Sequence, residues 1–212
     1  FQHCDHHWAI HDGGFAGEQG SGGEAGTTIP LGPMCGVSDY ATILHLTNLV
    51  NDLGLDSIAT GSAVATSMHW WQEGLLTAAD THGLRLEWGD AKVEEELIVQ
   101  IAERRGYGAM LAEGIFAAAQ ELAQRHGVEP ERLTRLIRAN KKRREVPADF
   151  RPLKGLAFSR GFDVRECDVL NTDTLMAEGS VDYARYRHIG IPEPVARQWA
   201  DSYICNPMVF DD

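Results

Sequence analysis

From Ser38 to Gly127 apolar residues return every three or four positions, and glycines or capping residues break the pattern at intervals. A chain patterned this way has to fold as a series of amphipathic helices packed on one another. Ser38 reads as an N-cap, followed by Ile43, Leu46, Leu49 and Val50 on one face, with Gly54 interrupting. A second helix is expected from Ser62 to Glu73, with Val64, Met68 and Trp71 on its inner face and Gly74 at its C′ position. Asp90 caps a third, in which Val93, Leu97, Ile101 and Ala102 point inward and Gly106 ends the run. Another covers Ala109 to His126 and stops at Gly127. Pro130 opens a further helix with Leu133, Leu136 and Ile137, ending in Lys141-Lys142-Arg143-Arg144, where cations complement the helix dipole. A last helix is expected from Glu193 to Ile204. Strand signals are few: Leu84 to Trp88 alternates like a short strand turned by Gly89. Residues 1–36 have no period, and their seven glycines between Gly13 and Gly26 predict an irregular segment. The predicted fold class is mainly α with few short strands.

Composition bounds the function. The 212 residues carry 31 acidic against 19 basic side chains, a formal charge of −12, which disfavours nucleic acid or an anionic membrane as partner. No apolar run approaches the roughly 20 residues that a spanning helix needs. Cys4, Cys35, Cys167 and Cys205 are too scattered for a disulfide framework and read as reduced thiols, so the expected location is the cytoplasm. The chain opens at Phe1, in the middle of a Cys/His-rich stretch, and reads as a piece of something longer.

Three groups of residues offer chemistry. In Phe1 to His11, Cys4 and the histidines His3, His6, His7 and His11 have the soft and borderline donors that zinc, copper or iron take, while the spacing alone favours a polar strand with exposed imidazoles. Asn51-Asp52-Leu53-Gly54-Leu55-Asp56 sets carboxylates beside the free N–H groups of a helix start; Asp56 serves either as an N-cap or as an acceptor for the N–H groups of a pterin or purine. Lys154-Gly155 can present a cation to an anion such as phosphate.

Together these segments resemble the tungsten-containing aldehyde ferredoxin oxidoreductase family. Leu31 to Asp39 is similar to the run that precedes the family's pterin motif, and Asn51 to Gly61 is similar to its D-x-x-G-L-D signature, with Asn51 in place of the first acid. Leu84 to Asp90 and Ile101 to Gly114 follow in order and spacing. The resemblance is specific over about residues 24–125. It implies a helical part of a longer enzyme: a pterin- and cluster-binding domain over 1–146 and a partial second domain over 147–212. It implies a tungsten or molybdenum bis-pyranopterin and a 4Fe-4S cluster. The implied reaction is aldehyde oxidation to a carboxylic acid, with electrons leaving through the cluster to ferredoxin or an electron-transfer subunit. By the same resemblance Glu24 and Lys154 are candidate catalytic residues; Asn51, Gly54, Leu55, Asp56, Lys154 and Asp201 are candidate cofactor contacts. Cys4, Cys205 and His7 are candidate metal or cluster ligands, with Cys4 and Cys205 expected near each other. Reduction of an aromatic-ring thioester, known from a branch of the family, is an alternative, as is a non-catalytic His-rich metal-binding module. An apolar face near residues 24–60 is expected where the family's sheet-rich first domain packs, and the isolated chain is expected not to turn over aldehydes.

Overall fold

The computed structural model describes residues 6–139, 143–146 and 192–194. A first compact unit comprises Phe1–Ala139 and Arg143–Ala148, and it is mainly helical. Among the described residues it holds strands β1 (His6–Ala9) and β2 (Gln19–Gly22) and seven helices: α1 (Ala25–Leu31), α2 (Tyr40–Asp52), α3 (Ser57–Gln72), α4 (Ala91–Glu103), α5 (Gly108–Leu111), α6 (Ile115–His126) and α7 (Glu131–Thr134). A single 3-10 turn, Pro33–Cys35, joins α1 to α2. In the second unit the described residues are 192–194, and Glu193 and Pro194 are helical; the rest of the helix expected there lies outside the described residues.

α3 is the centre. Every residue from Thr60 to Met68 is buried. A helix without a polar stripe has to lie inside, and here Gly61, Ser62, Ala63, Ala65 and Ser67 are small enough to admit neighbours on all sides. At Gly61 the approach is closest: a Cβ there would stand 2.5 Å from Pro30 of α1. The Ser67 hydroxyl is satisfied by the Ala63 carbonyl at 2.8 Å and by the Tyr107 hydroxyl at 2.9 Å. Leu31, Leu46, Leu97, Ile98 and Leu122 close the core around this helix.

Several expectations are corrected. Residues 6–36 are not irregular throughout: β1 and β2 pair antiparallel, Trp8 opposite Gly20, and α1 follows, while residues 1–5 lie outside the described residues. β2 reads Gln-Gly-Ser-Gly and has no strand propensity of its own. It is held from outside, by Asn48 Nδ2 donating to the Gln19 carbonyl at 3.2 Å. α1 was hidden because Pro30 stands inside it, in the last turn. α2 takes Asp39, not Ser38, as N-cap; its carboxylate accepts the Thr42 amide at 2.9 Å. α3 starts at Ser57, five residues before Ser62, because Asp56 caps it. Gly74, with φ 67°, follows its end as expected. Leu84 to Glu87 is irregular and Trp88-Gly89 a turn; Leu86 is buried, but the segment has no partner strand among the described residues, and Thr81 Oγ1 donates to the Leu84 carbonyl at 2.6 Å. α4 ends at Arg104 in the left-handed region, φ 53°, ahead of Gly106. The helix expected over 109–126 is two, α5 and α6, divided at Gly114 with φ 97°. α7 stops at Thr134, so Arg143 and Arg144 are exposed on non-helical backbone; Lys141 and Lys142 lie outside the described residues. No apolar face spans 24–60: the exposed large hydrophobic residues among those described are Tyr40 and Trp88, because Met34, Leu49, Leu53 and Leu55 fold onto the core.

Candidate functional site

The turn between α2 and α3 follows from its residues. Asn51 belongs to the last turn of α2. Gly54 takes φ 68°, which lets its amide donate to the Asn51 carbonyl at 3.0 Å and the Leu55 amide to the Val50 carbonyl at 3.0 Å. Leu55 is half-buried against the core and pins the turn. Asp56 then caps α3, Oδ1 accepting the Ala59 amide at 2.7 Å. The N-cap role is what the structure shows for Asp56. Its carboxylate and the Asn51 carboxamide are both exposed, and nothing lies within 4 Å of where a Gly54 Cβ would be. The arrangement leaves a carboxylate acceptor and a carboxamide on either side of an open glycine.

Glu24 is half-buried at the N-cap position of α1, directly after the hairpin; its carbonyl accepts the hydroxyls of Thr27 at 2.9 Å and Thr28 at 3.1 Å. His7 lies on β1 opposite Ser21 with its side chain exposed. Among the described residues no three His, Cys, Asp or Glu side chains are grouped to hold a metal ion. Cys4, Lys154, Asp201 and Cys205 lie outside the described residues.

The structure also assembles groups that sequence reading missed. Glu94 on α4 is fully buried beside Cys35, and burial pushes its carboxyl up to about 8. Burial, and the neighbouring Glu94, hold the Cys35 thiol well above its usual range. A signal existed: 94, 97, 98 and 101 are spaced i, i+3, i+4, i+7, the inner stripe of α4, so Glu94 stands in an apolar position. Asp80 is buried under His126, 3.1 Å from Nε2, and accepts the Thr77 amide at 2.9 Å. Burial pushes its carboxyl up, but the Thr77 hydroxyl and amide and the His126 ring outweigh that and lower it. His45 of α2 is bracketed by carboxylates, Glu18 at 2.9 Å on Nδ1 and Glu95 at 3.7 Å on Nε2, with Phe15 stacked on its ring at 4.2 Å. No local pattern announces these three pairings, because their members are 27 to 50 residues apart.

Comparison with known proteins gives a family match over residues 1–196, to the family described as aldehyde ferredoxin oxidoreductase, domains 2 & 3. The chain is 36% identical over 99 residues to the aliphatic sulfonate oxidoreductase, WOR-like subunit, of Pyrococcus furiosus, covering 47% of this chain and 16% of that protein. It is 34% identical over 91 residues to the tungsten-containing aldehyde ferredoxin oxidoreductase of the same organism, 42% of this chain and 15% of the relative. To the protein of that name from Pyrococcus horikoshii it is 32% identical over 103 residues, 47% and 17%. The chain thus matches about a sixth of the length of these curated relatives.

Proposed function

Since the chain belongs to the aldehyde ferredoxin oxidoreductase family, matching the part described as domains 2 and 3, we propose that it is the helical portion of a tungsten (or molybdenum) bis-pyranopterin oxidoreductase. The substrate class is aldehydes, oxidised to carboxylic acids, with electrons passing through a 4Fe-4S cluster to ferredoxin or an electron-transfer subunit. The observation that carries this reading is the Asn51–Asp56 turn: a carboxylate and a carboxamide, both exposed, flank a glycine with open space around it.

That donor set fits a pterin edge, which offers amino and ring N–H groups and a carbonyl. Asp56 would accept N–H groups through the oxygen not used by the Ala59 amide, and Asn51 would donate to the carbonyl. Gly54 keeps the approach clear, and Leu55 fixes the turn to the core. The metal–pterin, when bound, supplies the two-electron chemistry. Glu24, half-buried at the head of α1, is proposed to hold or move a proton, a role worth about 10²–10⁴-fold in rate. Lys154 would contribute a cation and Asp201 a second carboxylate contact. Cys4 and Cys205, with His7, are the proposed cluster ligands. Cys35 is not among them, since its thiol is buried and donates to the Pro30 carbonyl at 3.3 Å. The proposed domains are a pterin- and cluster-binding domain over 1–146 and a partial second domain over 147–212.

The test uses the full-length protein, purified without oxygen. Asp56→Ala and Asp56→Ser both remove the carboxylate, but Ser preserves an N-cap. Loss of a charge-assisted contact should lower pterin content about tenfold in both variants, read by the fluorescence of oxidised pterin and by metal analysis. The Ser variant should melt close to the parent. Undiminished pterin in both variants would sink the assignment.

A further inference from the structure

We propose that Glu94 is a pH-sensitive joint: an uncharged side chain that seats the first turn of α4 against the Pro33–Cys35 turn, and whose ionisation opens that contact. The inference goes beyond the cofactor reading and does not depend on it.

The geometry carries it. Glu94 has no exposed surface, and no nitrogen or oxygen donor among the described residues meets either carboxyl oxygen; the Cys35 thiol beside it is a weak donor whose lowering effect burial outweighs. The Cys35 thiol lies beside that carboxyl, but its own hydrogen bonds run to the backbone oxygens of Pro30 at 3.3 Å and Gly61 at 3.7 Å. The joint itself is backbone on backbone. The Gly89 amide donates to the Cys35 carbonyl at 2.8 Å. Gly36 and Gly89 both have positive φ, 81° and 84°, and a Cβ on Gly36 would stand 2.9 Å from the Gly89 nitrogen. Asp90 follows at once as the cap of α4, so Glu94 and the contact are on the same turn of chain.

Few charged and titratable groups among the described residues stand near Glu94, and burial outweighs the Cys35 thiol. From the 3-10 turn there is only Cys35. Arg138, after α7, lies near enough to Cys35 to favour negative charge there. α1 has no ionisable side chain, and in α3 the only one is His69, beyond the buried stretch that faces α1. α2 directs His45 to Glu95, the next residue along α4. A buried carboxylate with only a weak thiol donor costs several kcal/mol. The group therefore stays protonated while the joint is closed, and burial raises its closed-state value from 4.5 to about 8.

Ionisation is then available only through opening, which admits water to the carboxylate. The opening equilibrium should rise about tenfold per pH unit between the two values and level off above the higher one. Amide hydrogen exchange of the segment containing Gly89, in the full chain from pH 5.5 to 9 and corrected for base catalysis, reads this directly. The parent chain should lose roughly 50-fold in protection from pH 6 to 8. E94Q should be flat, and E94L, which is apolar and of similar size, supplies the same comparison without a buried amide. A slope confined to the parent chain supports the joint. A flat parent, or equal slopes in E94Q and E94L, overturns it.

Discussion

At the scale of single residues, Gly61 has almost no latitude. The Pro30 Cβ and carbonyl carbon already occupy the place where a Gly61 side chain would go, each 2.5 Å from an added Cβ. Both belong to a proline ring or to backbone, so neither can turn aside. Gly61→Ala is expected to cost about 1–3 kcal/mol, the usual range for overpacking a filled core. Gly54→Ala is the informative partner: no atom lies within 4 Å, so its penalty comes from φ 68° alone and should be about 1 kcal/mol. Urea titration of both variants checks the order. A Gly61→Ala chain as stable as the parent would mean that α1 can lift off α3 freely. Tyr107 tests the polar side of the same core. It is buried, and burial holds its hydroxyl above the usual range while Ser67 bonds it. Tyr107→Phe leaves that serine with its i−4 carbonyl and should cost only about 1 kcal/mol.

Helix ends explain most of what could be read in advance among the elements. Asp90 was identifiable as a cap because an acid stood before a clean apolar stripe, and the structure confirms it, Oδ1 accepting the Lys92 and Val93 amides at 3.2 Å. Asp90→Ala should therefore lower stability by about 0.5–2 kcal/mol, while the Gly89 contact with Cys35 survives. Gly74 and Gly127 were legible for the same kind of reason: a positive φ at a helix end selects glycine. α1 and the hairpin were not legible, because Pro30 breaks the helical signal and Gln19–Gly22 has no strand signal. Both owe their form to contacts with α3 and with Asn48, which no window of sequence contains. The same division runs through the candidate site. The Asn51–Asp56 turn is local and could be anticipated from its glycine and acids. The burial of Glu94 is tertiary, and only its place in the α4 stripe hinted at it.

For the whole molecule, two carboxyls set opposing slopes of stability with pH. Asp80 is lowered in the folded state, so its contribution is present above the unfolded value near 3.8 and is lost as pH falls through the folded one. Glu94 is raised from 4.5 to about 8, so the folded chain holds a proton that the unfolded chain has released, and stability falls as pH rises across that window. At about 1.36 kcal/mol per unit the second slope totals roughly 4–5 kcal/mol. Maximum stability is expected near pH 5, and thermal melting from pH 4 to 9 should find it there. E94Q should flatten the alkaline limb and leave the acid limb intact; an unchanged alkaline limb would place the titrating group elsewhere. A different consequence follows from the burial of α3 on every side. Asp56 is the cap of that helix, so the turn it stands on takes its position from the most enclosed segment described. A ligand meeting Asn51 and Asp56 would find them already in place. Little disorder would be lost on association, and affinity there would depend on the quality of the hydrogen bonds rather than on freezing a loop.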